Sequence, residues 1–347
     1  MLPKVPVQPI RLEEYREPAG SETVDRLRAA AEPFAGARIL HVNSTAYGGG
    51  VAELLFTHVG LMQDMGIDVT WQVLEGSDDF FAVTKFVHNG LQSAEVPWTE
   101  HMAAIYLERV RANASQIEDD YDYVFIHDPQ PAAILKFKEE DGARRGKWVW
   151  RCHIDTTTAY GPSWSLLRPY VEEHDAAIFT MPQFVRPDLT IGRVLIQAPS
   201  IDPLSVKNLP MPPDEARRIV ASFKLDPERP LLIQISRFDP WKDPLGVIDA
   251  YRLVKKVIPS VQLAMIGSLA DDDPEGQEYF DRTRKHAGGD KDVFLFTNLD
   301  GVKDREVNAF QRASEIVIQK SLSEGFGLVV AEALWKGIPV VAGKERV

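Results

Sequence analysis

The sequence predicts an α/β protein of two doubly wound domains, each a mostly parallel sheet covered by helices. Three observations carry this reading. Short apolar, β-branched runs alternate with helical stretches, the rhythm of repeated βαβ units. The rhythm breaks once, between Ala198 and Pro213, where APSIDPLSVKNLPMPP holds five prolines and no clean periodicity. Proline at that density disfavours a helix and marks a linker. Finally, 347 residues suit two domains of roughly 100–200 residues each. The expected domains are 1–205 and 206–347.

In the first domain Arg38–Val42 (RILHV) reads as a buried strand, Val51–Met65 as a helix and Val69–Leu74 as a strand. Leu107–Ile117 reads as a helix, and Tyr123–His127 (YVFIH), Trp148–Cys152 (WVWRC), Ala176–Thr180 and Arg193–Ile196 as strands. After the linker, Asp214–Phe223 is expected as a helix, Leu231–Ser236 as a strand and Leu245–Val257 as a helix. Gln262–Ile266 reads as a strand ended by Gly267, and Val293–Phe296 as another. Glu306–Ala313 is a short helix, Ile316–Gln319 a strand, Leu328–Trp335 a helix and Pro339–Ala342 a last strand. A doubly wound domain would place a covering helix after that strand, so the second domain reads as truncated at its C-terminus.

Composition bounds the function. Hydrophobic residues make up 44% and charged residues 26%, enough for a large core and unlike a disordered chain. The single cysteine, Cys152, excludes an internal disulfide framework and most multi-cysteine metal sites. No apolar run approaches the roughly 18–20 residues of a membrane span. The N-terminal MLPKVPVQPIRLEEYREP lacks the apolar core of a signal peptide. A reducing, cytoplasmic setting is therefore expected. The formal charge, 39 − 51 = −12, argues against a nucleic-acid partner. An anionic ligand would need the few relevant cations gathered at one place.

Three strand-to-loop junctions can hold a phosphate. In open parallel sheets ligands bind beyond the carboxyl ends of the strands, and two such domains joined near residue 205 would place a cleft between them. The first junction is NSTAYGGG, Asn43–Gly50, where glycines 48–50 let the backbone approach a ligand at a helix N-terminus. It matches neither GxGxxG nor GxxxxGK[ST], and a plain flexible turn is the alternative. The second is SRFDPWKDP, Ser236–Pro244. Arg237 and Lys242 on this loop can clamp a diphosphate; surface ion pairs Arg237–Asp239 or Lys242–Asp243 are the alternative. The third is SEGFGLVVAE, Ser323–Glu332. Gly325 and Gly327 would bare N–H groups at a helix start, while Glu324 and Glu332 could accept hydrogen bonds from sugar hydroxyls. The alternative has Glu324 as a helix-dipole partner and Glu332 on a solvated face.

Together these loops resemble retaining glycosyltransferases of the GT-B fold, two Rossmann-like domains facing a cleft. The E-x7-E pair, Glu324 and Glu332, resembles the signature of the large family that includes sucrose and glycogen synthases. More narrowly, HVNSTAYGGGVAELL, HDPQPA, WRCHID, QISRFDPWKDPLGVIDAY, EVNAFQRAS and QKSLSEGFGLVVAEALWK are similar to the glycosyltransferring trehalose synthases. The resemblance runs from about Arg38 to the last residue. It implies a hexosyltransferase that reversibly joins the glucose of a nucleoside diphosphate glucose to free glucose, giving α,α-trehalose. The base, uridine, adenosine or guanosine, stays open. A transferase with another acceptor, forming sucrose or a glucoside, and a non-catalytic sugar-nucleotide binder are the competing readings.

Carried over by position, the resemblance implies that Arg237 and Lys242 neutralise the departing diphosphate, where transition-state charge develops. Glu332 would bind the ribose hydroxyls. Glu324, with the backbone of Gly325, Phe326, Gly327 and Leu328, would hold the donor glucose and its phosphate. Gly49 and Gly50 would face the donor from the first domain, His153 would contact the sugar's 6-hydroxyl, and Asn298–Lys303 would meet the base. Without the resemblance His153 reads as a structural histidine. Asp155, His127 and Asp128 are placed near the acceptor, with turn capping as the alternative for Asp155. No carboxylate nucleophile is assignable, so the implied reaction is front-face, with the leaving phosphate helping to deprotonate the acceptor. Metal and other cofactors are not expected to be required: Asp120-Tyr121-Asp122 and Asp271–Asp273 read as solvated surface. The expected partners are sugars and a nucleotide sugar, neither nucleic acid nor membrane, with a homodimer left open.

Overall fold

The computed structural model describes residues 1–47, 49–118, 120–267 and 274–343. The chain divides into two compact units, Met1–Pro199 and Ser200–Val347.

Unit 1 runs α1 (Arg16–Ala19), α2 (Ser21–Ala31), β1 (Arg38–Asn43), α3 (Gly50–Asp64), β2 (Asp68–Val73), α4 (Asp78–Leu91), α5 (Glu100–Ala114), β3 (Tyr123–His127), α6 (Ile134–Glu140), β4 (Lys147–Arg151), α7 (Gly161–Glu172), β5 (Ala176–Phe179) and β6 (Val194–Ile196). Its six strands are parallel, in the order β2-β1-β3-β4-β5-β6. Side chains alternate across each strand, and both faces are covered except along the exposed edge strand β6. Leu40 and Val42 of β1 join a core with Ile126, Trp150, Trp164 and Phe179, while Ile39 faces Leu55, Val59 and Trp71.

Unit 2 runs α8 (Pro213–Ser222), β7 (Leu231–Ile235), α9 (Pro244–Lys255), β8 (Gln262–Gly267), α10 (Pro274–Ala287), β9 (Val293–Thr297), α11 (Asp304–Ala313), β10 (Ile316–Gln319), α12 (Leu328–Trp335) and β11 (Val340–Ala342). Its five parallel strands lie in the order β11-β10-β7-β8-β9. Leu232 packs with Val247, Tyr251 and Met265 on one face, and Ile233 with Phe310 and Val317 on the other. Double coverage explains why the inner strands read as near-continuous apolar runs, while the edge strand β11 is mostly exposed.

Both sheets reverse direction at their first strand. In unit 1 the chain steps from β1 outward to β2, then returns to β3 on the other side of β1; in unit 2 it steps from β7 to β8 and β9, then returns to β10. The loops at the carboxyl ends of β1 and β3, and of β7 and β10, therefore splay apart. Such switch points are where open α/β sheets bind ligands.

Every strand expected from the sequence is present, within a residue or so at either end. Several helices are not among the expectations. α4 is capped by Ser77, whose hydroxyl accepts the Phe80 N–H, but its aromatic and β-branched content suits a strand. α7 carries Pro162 in its first turn and Pro169 inside, so proline disguises it. α5 starts at Glu100, capped by Thr99, seven residues before the expected Leu107.

Candidate active site

In unit 2 the site grows from the loops after β7 and β10. The Lys242 ammonium lies 2.7 Å from a Glu324 carboxylate oxygen. That oxygen also accepts from Gln319 Nε2 at 2.8 Å and lies 3.1 Å from the Ser321 hydroxyl. Burial pushes the Glu324 carboxyl up, but Lys242, Gln319 and Ser321 together hold it below its ordinary range. Lys242 and Glu324 side chains are 15% and 19% exposed, whereas Arg237 is 47% exposed. Arg237 lies 3.0 Å from Asp239 Oδ2. Asp239 Oδ1 accepts the Lys242 amide at 3.1 Å, so one carboxylate ties Arg237 to the turn that presents Lys242. Asp243 follows with φ +45° and caps α9 through Gly246; its carboxylate pairs with Lys320, not Lys242. Of the two ion-pair alternatives read from the sequence, Arg237–Asp239 is present, while Lys242 turns to Glu324.

Glu332 is 3% exposed and accepts from Gln311 Nε2 of α11 at 2.9 Å. The solvated-face alternative for this acid is therefore overturned: the second turn of α12 tucks it against α11. Gly327 caps α12 in the left-handed region, φ +81°, and Leu328 is the first helical residue, with Gly325 and Phe326 leading in. Beside Asn298–Lys303 a cavity of about 460 Å³ is lined by Phe280, Arg284, Leu295, Thr297, Leu299 and Asp300.

In unit 1 Gly49 is the N-cap of α3 and Gly50 its first residue, with no side-chain cap on the exposed N–H groups; Gly48 lies outside the described residues. At the switch point three histidines from three strands or strand ends form a file. His41 Nδ1 of β1 lies 2.9 Å from His127 Nε2 of β3, and His127 Nδ1 lies 3.0 Å from His153 Nε2 just beyond β4. Burial lowers His41 and His127 well below an ordinary imidazole and His153 to about 3. Asp128 sits in the left-handed region, φ +64°, an uncommon place for a residue with a side chain. Its Oδ1 accepts the His153 amide at 2.8 Å. Desolvation drives its carboxyl up to about 7, against the pull of that amide and of Arg151. The structure thus brings His127, Asp128 and His153 together and adds His41. Asp155 turns to its own segment and accepts the Thr157 amide at 2.9 Å, the local turn named as its alternative role.

The supporting residues Gln319, Ser321 and His41 escape sequence reasoning, because each acts through a partner that only the fold brings close. The available signal was a polar residue inside an apolar strand: His41 in RILHV and Gln319 in IVIQ. Asp120 pairs with Arg38, and Asp122 accepts the Arg38 amide at 2.8 Å, at the amino ends of β1 and β3. Asp271–Asp273 lie outside the described residues. Among the described residues no group of three or more histidine, cysteine or acidic side chains is arranged to hold a metal ion, and no helix is long and apolar enough to cross a membrane.

Comparison with known proteins extends this picture. Residues 41–186 match the family model "Trehalose synthase, N-terminal domain", and residues 215–346 match "Glycosyl transferases group 1". A trehalose synthase of Thermococcus litoralis is 50% identical over 333 residues, 95% of this chain and 80% of that protein. A solved trehalose-6-phosphate synthase superposes with a TM-score of 0.69 at 15% identity, over 88% of this chain and 84% of the other. One from E. coli bound with UDP-2-fluoro glucose gives 0.66 at 16%, with the same coverage. The fold is of the GT-B class, and the chain is a hexosyltransferase belonging to the trehalose synthase family.

Proposed function

We propose that the chain transfers glucose, with retention, from a nucleoside diphosphate glucose to free glucose, forming α,α-trehalose, and runs the reverse reaction too. The observation that carries the reading is the Lys242–Glu324 contact of 2.7 Å at a sheet switch point, in a chain of this family. Lys242 stands beside an acid that a diphosphate can replace as its partner. When donor binds, Glu324 accepts from glucose hydroxyls and Lys242 turns to the diphosphate, joined by Arg237. The C1–O bond to phosphate breaks, the acceptor oxygen forms its bond to C1 on the same face, and the acceptor proton passes to the leaving phosphate oxygen. Cations fixed where that oxygen gains charge lower the barrier.

In this reading the two side chains supply the positive charge, and no metal ion is needed. Glu332 takes the ribose, the α12 N-terminus at Gly325–Leu328 the phosphate and sugar, and Asn298–Lys303 the base. In unit 1, Gly49 and Gly50 face the donor, His153 the 6-hydroxyl, and His127, Asp128 and Asp155 the acceptor. The neighbour bound with UDP-2-fluoro glucose supports a nucleotide donor.

The test is a panel of UDP-, ADP- and GDP-glucose with glucose, fructose and glucose 6-phosphate, with and without EDTA. The expected result is disaccharide from glucose, unaffected by chelation. Product from fructose or the sugar phosphate alone would assign a different acceptor. Donor binding without product on any acceptor would leave a sugar-nucleotide binder.

A further inference from the structure

Of the file of imidazoles in unit 1, the reading above uses His153 at the donor sugar, on which this inference rests, and His127 near the acceptor, while His41 has no role in it. It crosses the sheet switch from the buried end of β1 to the partly open end of β4. His41 stacks on Phe125, ring centroids 4.9 Å apart, and His127 on His153 at 5.3 Å, so packing holds the rings. His41 Nε2 is buried with no hydrogen-bond partner. His58 from α3 meets His41 edge-on, and Arg151 and Asp128 are the charged groups nearest the other two rings.

A neutral imidazole has one N–H and one lone pair, so two contacts through three neutral rings allow two patterns only. In one, His41 Nδ1–H donates to His127 Nε2, His127 Nδ1–H donates to His153 Nε2, and His153 carries its proton on Nδ1. In the other every donor reverses, His153 presents a bare Nδ1, and His41 is left with a buried, unpaired Nε2–H. Orphaned buried N–H groups are the rarer and costlier defect, which selects the first pattern.

We propose that His41 and His127 are positioning residues that lock His153 as its Nδ1–H tautomer, so that His153 meets the sugar as a fixed hydrogen-bond donor. Free imidazole side chains have no such constraint; here the choice is made two rings away, at the buried end of β1.

The test is ¹⁵N–¹H correlation of the imidazoles, with His153 assigned through His153→Gln. Wild type should show His153 protonated at Nδ1 and unprotonated at Nε2. His41→Asn keeps an N–H donor near the Nδ1 position and should preserve that pattern. His41→Asp presents only an acceptor there, which draws the His127 proton to Nε2 and should shift His153 toward the Nε2–H form. In turnover, His41→Asp should lower kcat at least tenfold with KM for the acceptor within twofold, and His41→Asn should keep most of it. Thermal unfolding of both variants reports whether the aspartate form is folded; if it is not, the asparagine variant and the wild-type spectrum still decide. An Nε2-protonated His153 in wild type overturns the proposal, whatever the reaction turns out to be. Equal turnover in His41→Asp and wild type overturns it too. A missing transferase activity beside an Nδ1-protonated His153 removes the functional reading and leaves the tautomer lock standing.

Discussion

Lys242 and Arg237 both begin with an acid beside them, and the acids differ. Arg237 sits half in water on Asp239, where an ion pair is worth little. The Lys242–Glu324 pair is mostly buried and backed by Gln319 and Ser321. Removing its lysine strands a carboxylate. Lys242→Ala should therefore destabilise unit 2 by about 2 kcal/mol, between the exposed and the fully buried limits, as read by denaturant unfolding. It should also cut turnover by about a hundredfold or more while changing donor affinity far less, because the charge it meets develops in the transition state. Equal losses in binding and none in kcat would contradict that role. Glu332→Ala leaves the Gln311 amide unpaired in the core, at a cost of about 1–3 kcal/mol. It should also weaken binding of the free nucleoside diphosphate, measured by calorimetry; an unchanged Kd would take Glu332 away from the ribose. At this scale the acids and cations were legible because their spacing repeats a signature. The burial of Glu332 was not, because Gln311 lies on a different helix. The role of His41 was not, because its partner lies 86 residues away.

Elements were legible where the pattern was strong. Parallel strands buried on both faces announce themselves as apolar runs, and the exposed edge strands β6 and β11 carry the same apolar, β-branched pattern. Helices are half polar, short, proline-bearing or, like α4, rich in aromatic and β-branched residues, and α1, α2, α4, α6, α7 and α10 were missed for those reasons. Two glycines show how element ends are set. Gly146 precedes β4 at φ +62°, and a Cβ there would press on the carbonyl oxygens of Tyr121 and Asp122. Gly327 caps α12 at φ +81°, with no neighbour closer than 3.4 Å to an added Cβ. Gly327→Ala should cost about 1 kcal/mol from backbone conformation alone. Gly146→Ala adds a clash with backbone that cannot swing away and should cost about 2–3 kcal/mol or more. Urea titration of the two variants gives the order; a larger loss at Gly327 would show that the α12 N-terminus is held more tightly than its contacts indicate.

For the molecule as a whole, acid sensitivity follows from the buried rings. His41, His127, His153 and His174 are all depressed by burial, the last two to about 3 and about 4. The unfolded rings titrate near 6.5. Above that pH both states are neutral; below it only the unfolded chain takes up protons, so stability falls as pH drops from about 6.5 toward 4. Each ring contributes up to about 1.4 kcal/mol per pH unit. Asp128 acts oppositely. Its carboxyl stands at about 7 in the fold against 3.8, so its contribution is full below about 4 and lost as pH rises through 7. Four rings outweigh one carboxyl, and Tm should fall between pH 6.5 and 4.5. Asp128→Asn should raise Tm at pH 8 and leave it nearly unchanged at pH 4; a lower Tm at pH 8 would mean that the carboxylate is stabilised in the fold. The net charge of −12 sharpens in the same way. In the proposed reading, an acidic chain would handle an anionic ligand through two cations on one loop, each paired with an acid that ligand binding would displace.

Glucosyl transfer with retention to free glucose is the proposed reaction. Incubation with nucleoside diphosphate glucose and ¹³C-labelled glucose, followed by NMR of the disaccharide, reads it out. The expected product is 1,1-linked, both anomeric protons showing the small α coupling, with label in one ring. A β-linked product, a different linkage, or nucleotide release without disaccharide would contradict it.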